Sequence, residues 1–158
     1  MMKWGDNIKE FVKLANKYKV RMILVGGGAV NFHGYQRHSA DVDFWIDTDR
    51  ENMGKLIKVF KDLGYEIESF PDKVMSKKQN ISIKFSPHDL DLELITKFNV
   101  AKSFDEAYKE SSVDFKKGEK LVRWNILSLE DLISSKIKSS RPKDLLDIHQ
   151  LKQITDKQ

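Results

Sequence analysis

The stretch MILVGGGA, residues 22–29, decides the fold class of this chain. Four apolar residues, Met22–Val25, run directly into three glycines, Gly26–Gly28. This pattern predicts a buried strand that turns at the glycines, followed by a short helix over Ala29–His33 that ends near Gly34. A strand–glycine–helix junction exposes backbone N–H groups that can donate hydrogen bonds to phosphate oxygens. A glycine triplet is also typical of a tight turn without a ligand, and the spacing matches neither a Walker A loop nor GxGxxG.

A second stretch, DVDFWI at residues 41–46, carries the most specific chemistry. It predicts a strand, and side chains two residues apart in a strand lie on one face, so Asp41 and Asp43 can share a divalent ion. Carboxylates that close raise each other's pKa unless a cation neutralises them. Because Phe44–Ile46 continue as a buried strand, the carboxylates are expected at its rim. The alternative is an exposed polar edge.

A third carboxylate is available on a later strand. Leu90, Leu92 and Leu94 alternate with acidic residues, of which Asp91 is the preferred candidate and Asp89 and Glu93 are the alternatives. Two such strands side by side would gather three carboxylates beside the glycine turn, and oxygen-rich clusters of this kind hold Mg²⁺. The same alternation is also typical of an amphipathic strand whose acidic side chains face solvent.

Apolar periodicity and capping residues predict the other elements. The expected fold class is α/β (α+β), a mixed sheet with flanking helices, in one domain over residues 1–158. Residues 128–158 are expected to form a C-terminal helical pair packed on that domain. The predicted elements are a helix from Asp6 or Asn7, a helix between the caps Asp47–Asp49 and the stop at Gly64, strands at Ile81–Phe85, Leu90–Leu94 and Leu121–Ile126, a helix from Ser128 and a helix from Pro142.

Composition narrows the function class. The 158 residues include no cysteine, which excludes disulfide scaffolds, cysteine nucleophiles and thiolate zinc sites. No apolar run is long enough for a membrane span, and Met1–Trp4 opens no secretory segment, so a cytoplasmic protein is expected. With 28 basic and 24 acidic residues the formal net charge is +4, which permits an anionic partner without requiring one.

These motifs together resemble the signature of the DNA polymerase β-type nucleotidyltransferase superfamily. The likeness is closer to small bacterial nucleotidyltransferase-like domains, including those akin to abortive-infection toxins, and it covers roughly Val20–Leu151. Ser39 stands where Thr is usual, and Ser140 stands where Gly often occurs. The matching residues are Gly26–Ala29, Gly34, Arg37, Ser39, Asp41–Asp43, Asp131–Ile133, Lys136, Arg141–Asp144, Asp147 and Leu151.

The resemblance implies a metal-dependent enzyme that moves a nucleoside monophosphate from an NTP to a hydroxyl of RNA, protein or a small molecule. Asp41 and Asp43 would hold Mg²⁺, with Mn²⁺ as a substitute. Asp91 would complete the site and help to deprotonate the attacking hydroxyl. Gly26 and Gly27 would bind phosphate oxygens through their N–H groups.

The resemblance also implies cations and a hydroxyl around the nucleotide. Lys136 shares a helix with apolar residues, so its stem can lie along the core while its amine points into a cleft. The alternative is that these basic residues form a solvent-exposed surface whose positive charge is neutralised by Asp144 and Asp147. The nucleotide-binding candidates are Arg37, Ser39, Lys136, Arg141 and Lys143.

Histidine and tryptophan are expected to be structural. His33 and His38 lie five residues apart without a third ligand, which disfavours a metal site. The three tryptophans are expected to pack in the core or on the surface, namely Trp4, Trp45 and Trp124.

A binding module is the main alternative to an enzyme. The same fold could hold a nucleotide or a partner protein without catalysis, as in a toxin–antitoxin system. A sugar transferase is disfavoured because it has no use for the glycine turn, and an aspartyl phosphatase because its later motifs are missing. The chain is short for gripping a large acceptor, so a partner chain or a homodimer is expected to complete the cleft.

Overall fold

The computed structural model describes residues 6–34, 41–85, 91–115, 123–139 and 147–153. This part of the chain contains six strands and seven helices, the last of which, α7, covers residues 147–153. The other elements are α1 (Asp6–Lys17), β1 (Met22–Val25), α2 (Gly26–Phe32), β2 (Asp41–Ile46), α3 (Arg50–Asp62), α4 (Asp72–Met75), β3 (Ile81–Ile83), β4 (Asp91–Ile95), α5 (Phe104–Glu110), β5 (Ser112–Phe115), β6 (Arg123–Ile126) and α6 (Leu129–Ser139).

The six strands form one mixed sheet in the order β3-β4-β2-β1-β6-β5. The β1–β6 and β2–β4 pairs are parallel, whereas β1–β2, β3–β4 and β5–β6 are antiparallel. This arrangement confirms the predicted mixed α/β fold. Because β2 runs against β1, the end of β1 and the start of β2 lie at the same edge of the sheet.

One face of the sheet is the core face. Phe44, Leu92 and Leu94 lie on it and are completely buried. The ring of Phe11 in α1 lies 6.3 Å from the rings of both Phe44 and Phe60, so α1 and α3 cover this face. Burying such large apolar side chains stabilises the fold by about 1.5–3 kcal/mol each.

The predicted helices α1 and α3 are confirmed, and for α3 so are the predicted boundaries. Helix α1 buries Ile8, Phe11 and neighbouring residues at the predicted helical spacing. The side chain of Asp49 accepts a hydrogen bond of 2.7 Å from the N–H of Asn52, so Asp49 is the N-cap of α3.

The predicted start of α2 is wrong by three residues. The helix begins at Gly26, so the glycines form its first turn instead of a turn before Ala29. The reason is that Val25 is still extended while Gly26 takes φ +62°, a conformation that lets the chain enter the helix directly from the strand. The predicted end is confirmed, because Gly34 follows with φ +107°.

The buried side-chain amide of Asn52 links α3 to the backbone at the opposite edge of the sheet. Asn52 in α3 accepts a 2.7 Å hydrogen bond from the N–H of Arg21, and its Nδ2 donates to the carbonyls of Arg21 and Asp47. The guanidinium of Arg21 bridges Asp47 and Asp105 at 2.7 and 2.6 Å. Burial is the main cause that raises the pKa of Asp47 above its ordinary value.

None of the described helices is both long and apolar enough to cross a membrane. The predicted helix start at Pro142 lies outside the described residues.

Candidate active site

Four strand ends meet at one edge of the sheet. β1 ends at Val25 and the parallel β6 ends at Ile126, while β2 begins at Asp41 and the parallel β4 begins at Asp91. Because β2 is antiparallel to β1, all four ends lie together. The first turn of α2 starts at this same edge.

Acidic side chains from two neighbouring strands share one face at this edge. Asp41 is in register with Asp91, and Asp43 is in register with Glu93. Residues paired across neighbouring strands point to the same side, and the strands lie about 4.8 Å apart. Val42 between the two aspartates is completely buried on the opposite face. The carboxylates therefore lie on the face of the sheet opposite to Val42, at the rim of β2 as predicted.

Asp43 packs directly against the start of α2. Its backbone pairs with Val25, and a β-carbon added to Gly26 would clash with Oδ2 of Asp43 and lie 3.3 Å from its Cγ. The absence of a side chain at Gly26, together with its φ of +62°, therefore allows the carboxylate to lie beside the helix start. Backbone N–H groups in the first turn of a helix have no partner within the helix.

The structure distinguishes two of the candidates for the third carboxylate. Glu93 accepts a 2.5 Å hydrogen bond from the hydroxyl of Ser82 on β3. The Asp91 side chain, by contrast, forms no hydrogen bond or ion pair in the described part of the chain. Asp91 also lies nearer the edge, opposite Asp41. Asp89, the other alternative, lies outside the described residues.

Oxygen ligands at this edge fit a hard divalent cation. Mg²⁺ is typically bound through one or two carboxylates, with phosphate oxygens and water completing its coordination. Asp41 and Asp43, on one strand and one face, are donors of this kind, and the missing side chain at Gly26 lets the carboxylate of Asp43 lie beside the start of α2. Within residues 6–34, 41–85, 91–115, 123–139 and 147–153, no three acidic, histidine or cysteine side chains converge into a ready-made metal cluster.

Lys136 lies in a buried ion pair. Its Nζ is 3.0 Å from Oδ2 of Asp147, and the two side chains are 6% and 1% exposed. This contact joins α6 to α7. Asp147 thus neutralises the charge of Lys136, which is the alternative that the sequence analysis gave for the basic residues. The remaining nucleotide-binding candidates lie outside the described residues, namely Arg37, Ser39, Arg141 and Lys143.

His33 and Trp45 have the structural roles expected of them. Nε2 of His33 lies 2.8 Å from the carbonyl of Leu127, so it is the donor that ties the end of α2 to the segment after β6. Trp45 is nearly buried and packs against the rings of Phe98 and Phe104. Trp124 packs against the core, while His38 and Trp4 lie outside the described residues.

Ser82 is a polar residue of this face that the sequence interpretation missed. The alternation of Ile81, Ser82 and Ile83 was a readable signal, because it places the hydroxyl on the polar side of a strand. Its pairing with Glu93 depends on the register between β3 and β4, which the sequence does not display.

Comparisons with known proteins agree on the fold class. Residues 3–156 match the family described as "nucleotidyltransferase of unknown function (DUF6036)". Among solved structures the chain is similar to the antibiotic-resistance factor ANT(2'')-Ia, with a TM-score of 0.51 and 13% identity over 91% of this chain and 80% of that one. A search of curated proteins finds no match. At 13% identity the structural likeness shows the fold alone, whereas the family match spans nearly the whole sequence. The chain belongs to this family of nucleotidyltransferases of unknown function.

Proposed function

We propose that this protein transfers a nucleoside monophosphate from an NTP to a hydroxyl group of an acceptor, with Mg²⁺ or Mn²⁺ bound at the acidic edge of its sheet. The oxygen of the hydroxyl forms a bond to the α-phosphorus. The bond from that phosphorus to the oxygen bridging to the β-phosphate breaks, and pyrophosphate leaves.

One observation carries this proposal. The carboxylate of Asp43 lies against Gly26, at the edge where Asp41 and Asp91 stand in register on adjacent strands. Carboxylates on one side and the N-terminus of a helix on the other offer separate places for a divalent cation and for phosphate oxygens.

The proposal assigns a role to each group at this edge, and two roles to Asp91. Asp41, Asp43 and Asp91 would hold the metal, which when bound neutralises phosphate charge and lowers the pKa of the hydroxyl. The N–H groups of Gly26 and Gly27 would donate to phosphate oxygens. Asp91, whose carboxylate is uncommitted within the described residues, would accept the proton of the attacking hydroxyl.

The nucleotide-binding set extends the proposal to the C-terminal part of the chain. Lys136 would contact a phosphate only after its amine leaves Asp147, because both side chains are now buried. We also propose that residues 1–158 act as one domain on which residues 128–158 pack. The remaining members of the set are Arg37, Ser39, Arg141 and Lys143.

Transfer of label tests the reaction directly. The protein would be incubated with each of the four α-labelled NTPs, with Mg²⁺ or Mn²⁺ and with RNA, protein and small-molecule acceptors. We expect label to reach one acceptor class, and we expect Asp43→Asn to abolish transfer. Asp72→Asn, at an exposed position on α4, is the matched control and should transfer normally.

Two outcomes would contradict the proposed reaction. Transfer that survives Asp43→Asn would refute the proposed site. Metal-dependent NTP binding without transfer to any acceptor would instead identify a catalytically silent nucleotide- or partner-binding module, such as a component of a toxin–antitoxin system. Mass and light-scattering measurements in the same samples would show whether a partner or a homodimer is needed.

A further inference from the structure

Strand β3 borders the acidic edge on the side away from the glycines. The sheet order places β3 beside β4, whereas β1 and its glycines lie beyond β2. The last pair of the β3–β4 ladder is Ile83 with Leu92, and Lys84 follows Ile83 at the position where the same antiparallel register would set it opposite Asp91. Ser82, Ile83 and Lys84 are exposed, buried and exposed in turn. Lys84 therefore lies on the carboxylate face of the sheet, next to the candidate general base.

The amine of Lys84 is uncommitted within the described part of the chain. It forms no hydrogen bond or ion pair with the residues that the structure describes, whereas the adjacent polar group on this face, Ser82, donates to Glu93. A lysine ammonium is a compact charge with three donors, and it commonly binds phosphate. Opposed residues on antiparallel strands have Cβ atoms about 4.5–5.5 Å apart. The Lys84 side chain is long enough to extend past Asp91 to a bound molecule.

The groups that flank the carboxylates thus differ between the glycine side and the β3 side of the sheet edge. The glycine side offers backbone N–H groups to the phosphates of the NTP. The β3 side, where the acceptor must approach Asp91, offers a cation.

We propose that Lys84 binds a phosphate group of the acceptor, so that the acceptor is a phosphate-bearing molecule. This inference rests on the proposed function, because it requires the NTP to occupy the glycine side.

The competing role for Lys84 is that of a counter-charge for the carboxylates. The two roles differ in what removal of the amine does to acceptor binding. In either role, removal of a positive charge beside Asp91 strengthens the attraction of this edge for a divalent cation. Only if the amine binds the acceptor does its removal also weaken acceptor binding.

Binding measurements separate these roles. The probes are a labelled single-stranded RNA octamer, ribose 5-phosphate and, as the unphosphorylated counterpart, ribose. Each is titrated into protein saturated with Mg²⁺ and a non-hydrolysable NTP analogue. Lys84→Ala and Lys84→Arg are compared with Lys58→Ala, which changes an exposed lysine on α3, across the sheet from this face.

We expect the wild-type protein to prefer a phosphate-bearing probe to ribose. Lys84→Ala should weaken binding of that probe about tenfold, and for the octamer it should reduce the salt dependence by roughly one phosphate contact. Lys84→Arg should retain most of the affinity, and Lys58→Ala all of it. Binding of the octamer alone or of ribose 5-phosphate alone would support the proposal equally and would identify the source of the phosphate.

Three results would overturn the inference. The first is equal probe affinity in Lys84→Ala and the wild type, and the second is wild-type protein that binds ribose as well as the phosphate-bearing probes. The third is an acceptor affinity of Lys84→Ala that is at least that of the wild type while its Mn²⁺ binding, in an electron paramagnetic resonance titration, is tighter, which would assign the counter-charge role. Failure of the wild type to bind any NTP analogue would refute the proposed function itself, and it is recorded separately in the same titrations.

Discussion

Gly26 has no side chain, and the carboxylate of Asp43 lies where its β-carbon would be. Alanine at this position would meet Oδ2 of Asp43 in a backbone conformation, φ +62°, that disfavours any β-carbon. We expect Gly26→Ala to lower the free energy of unfolding by about 1–3 kcal/mol. Because the clash also displaces Asp43, label transfer should fall at least tenfold. Denaturant unfolding and the transfer assay measure the two effects.

Gly54 provides the matched control for this substitution. It lies inside α3, and a β-carbon there would meet no atom within 4 Å. Alanine should therefore stabilise the protein by about 0.5–1 kcal/mol through its higher helix propensity, with transfer unchanged. Equal losses in both variants would show that the close approach of Asp43 is not the cause.

Asn52 shows how one side chain joins three elements. It is 2% exposed and bonds the backbone of Arg21 before β1 and of Asp47 after β2 from its place on α3. In Asn52→Asp the two Nδ2 donors are lost and a carboxylate oxygen faces two carbonyls. We expect a loss of about 2–4 kcal/mol in the free energy of unfolding, because buried carbonyls would lose their donors. A loss below 0.5 kcal/mol in denaturant unfolding would contradict this account.

The ends of α1 and α3 are linked by a contact whose strength depends on pH. The hydroxyl of Tyr18 donates a 2.6 Å hydrogen bond to Asp62, and this bond is the main cause that lowers the pKa of Asp62 in the folded protein. A lowered folded pKa stabilises the protein above the unfolded value of about 3.9, and the effect is lost as pH falls through the folded value. Tyr18→Phe should therefore unfold more easily at pH 7, and its difference from the wild type should shrink in acid.

Nuclear magnetic resonance titration of Asp62 checks the cause of this pH dependence. The pKa of Asp62 should rise toward its ordinary value in Tyr18→Phe. An unchanged titration would mean that the hydrogen bond does not exist in solution.

Elements that depend on local signals were predictable, and long-range contacts were not. The strand of Asp41 and the cap at Asp49 follow from alternation and from residue types a few positions apart. Helix α5 was missed although Ser103 and Glu106 form a readable capping box. The hydrogen bonds of Asn52 to Arg21 join residues 31 positions apart, and no local pattern encodes such a separation. Likewise, the acidic residues of the site were evident, but the register that sets Asp41 beside Asp91 was not.

At the scale of the whole molecule, acidic and basic side chains are nearly equal in number but are concentrated on different parts of the surface. Asp41, Asp43 and Asp91 lie on one face of the sheet at its acidic edge, while the helices α1 and α3 carry many exposed lysines on the other side of the sheet. A net charge of +4 therefore says little about the site itself. The local arrangement of opposite charges has more influence on which ligand binds.

The buried pair of Lys136 and Asp147 connects α6 to α7. Replacing Lys136 by Met removes the ammonium group that lies 3.0 Å from the buried carboxylate of Asp147, so we expect Lys136→Met to lower the free energy of unfolding by about 3–5 kcal/mol. The double variant Lys136→Met, Asp147→Leu replaces the whole pair by apolar groups. It should recover most of the lost stability, because a buried ion pair can be exchanged for packed apolar side chains at little cost.

The double variant also separates packing from phosphate binding. Under the proposed function Lys136 exchanges Asp147 for a phosphate of the NTP, so a stable double variant should bind an NTP analogue at least tenfold more weakly than the wild type. Calorimetric titration with the analogue and Mg²⁺ measures this directly. A double variant that is stable and binds the analogue normally would assign Lys136 to holding α7 in place, and the phosphates would then depend on the glycine turn and the remaining basic residues.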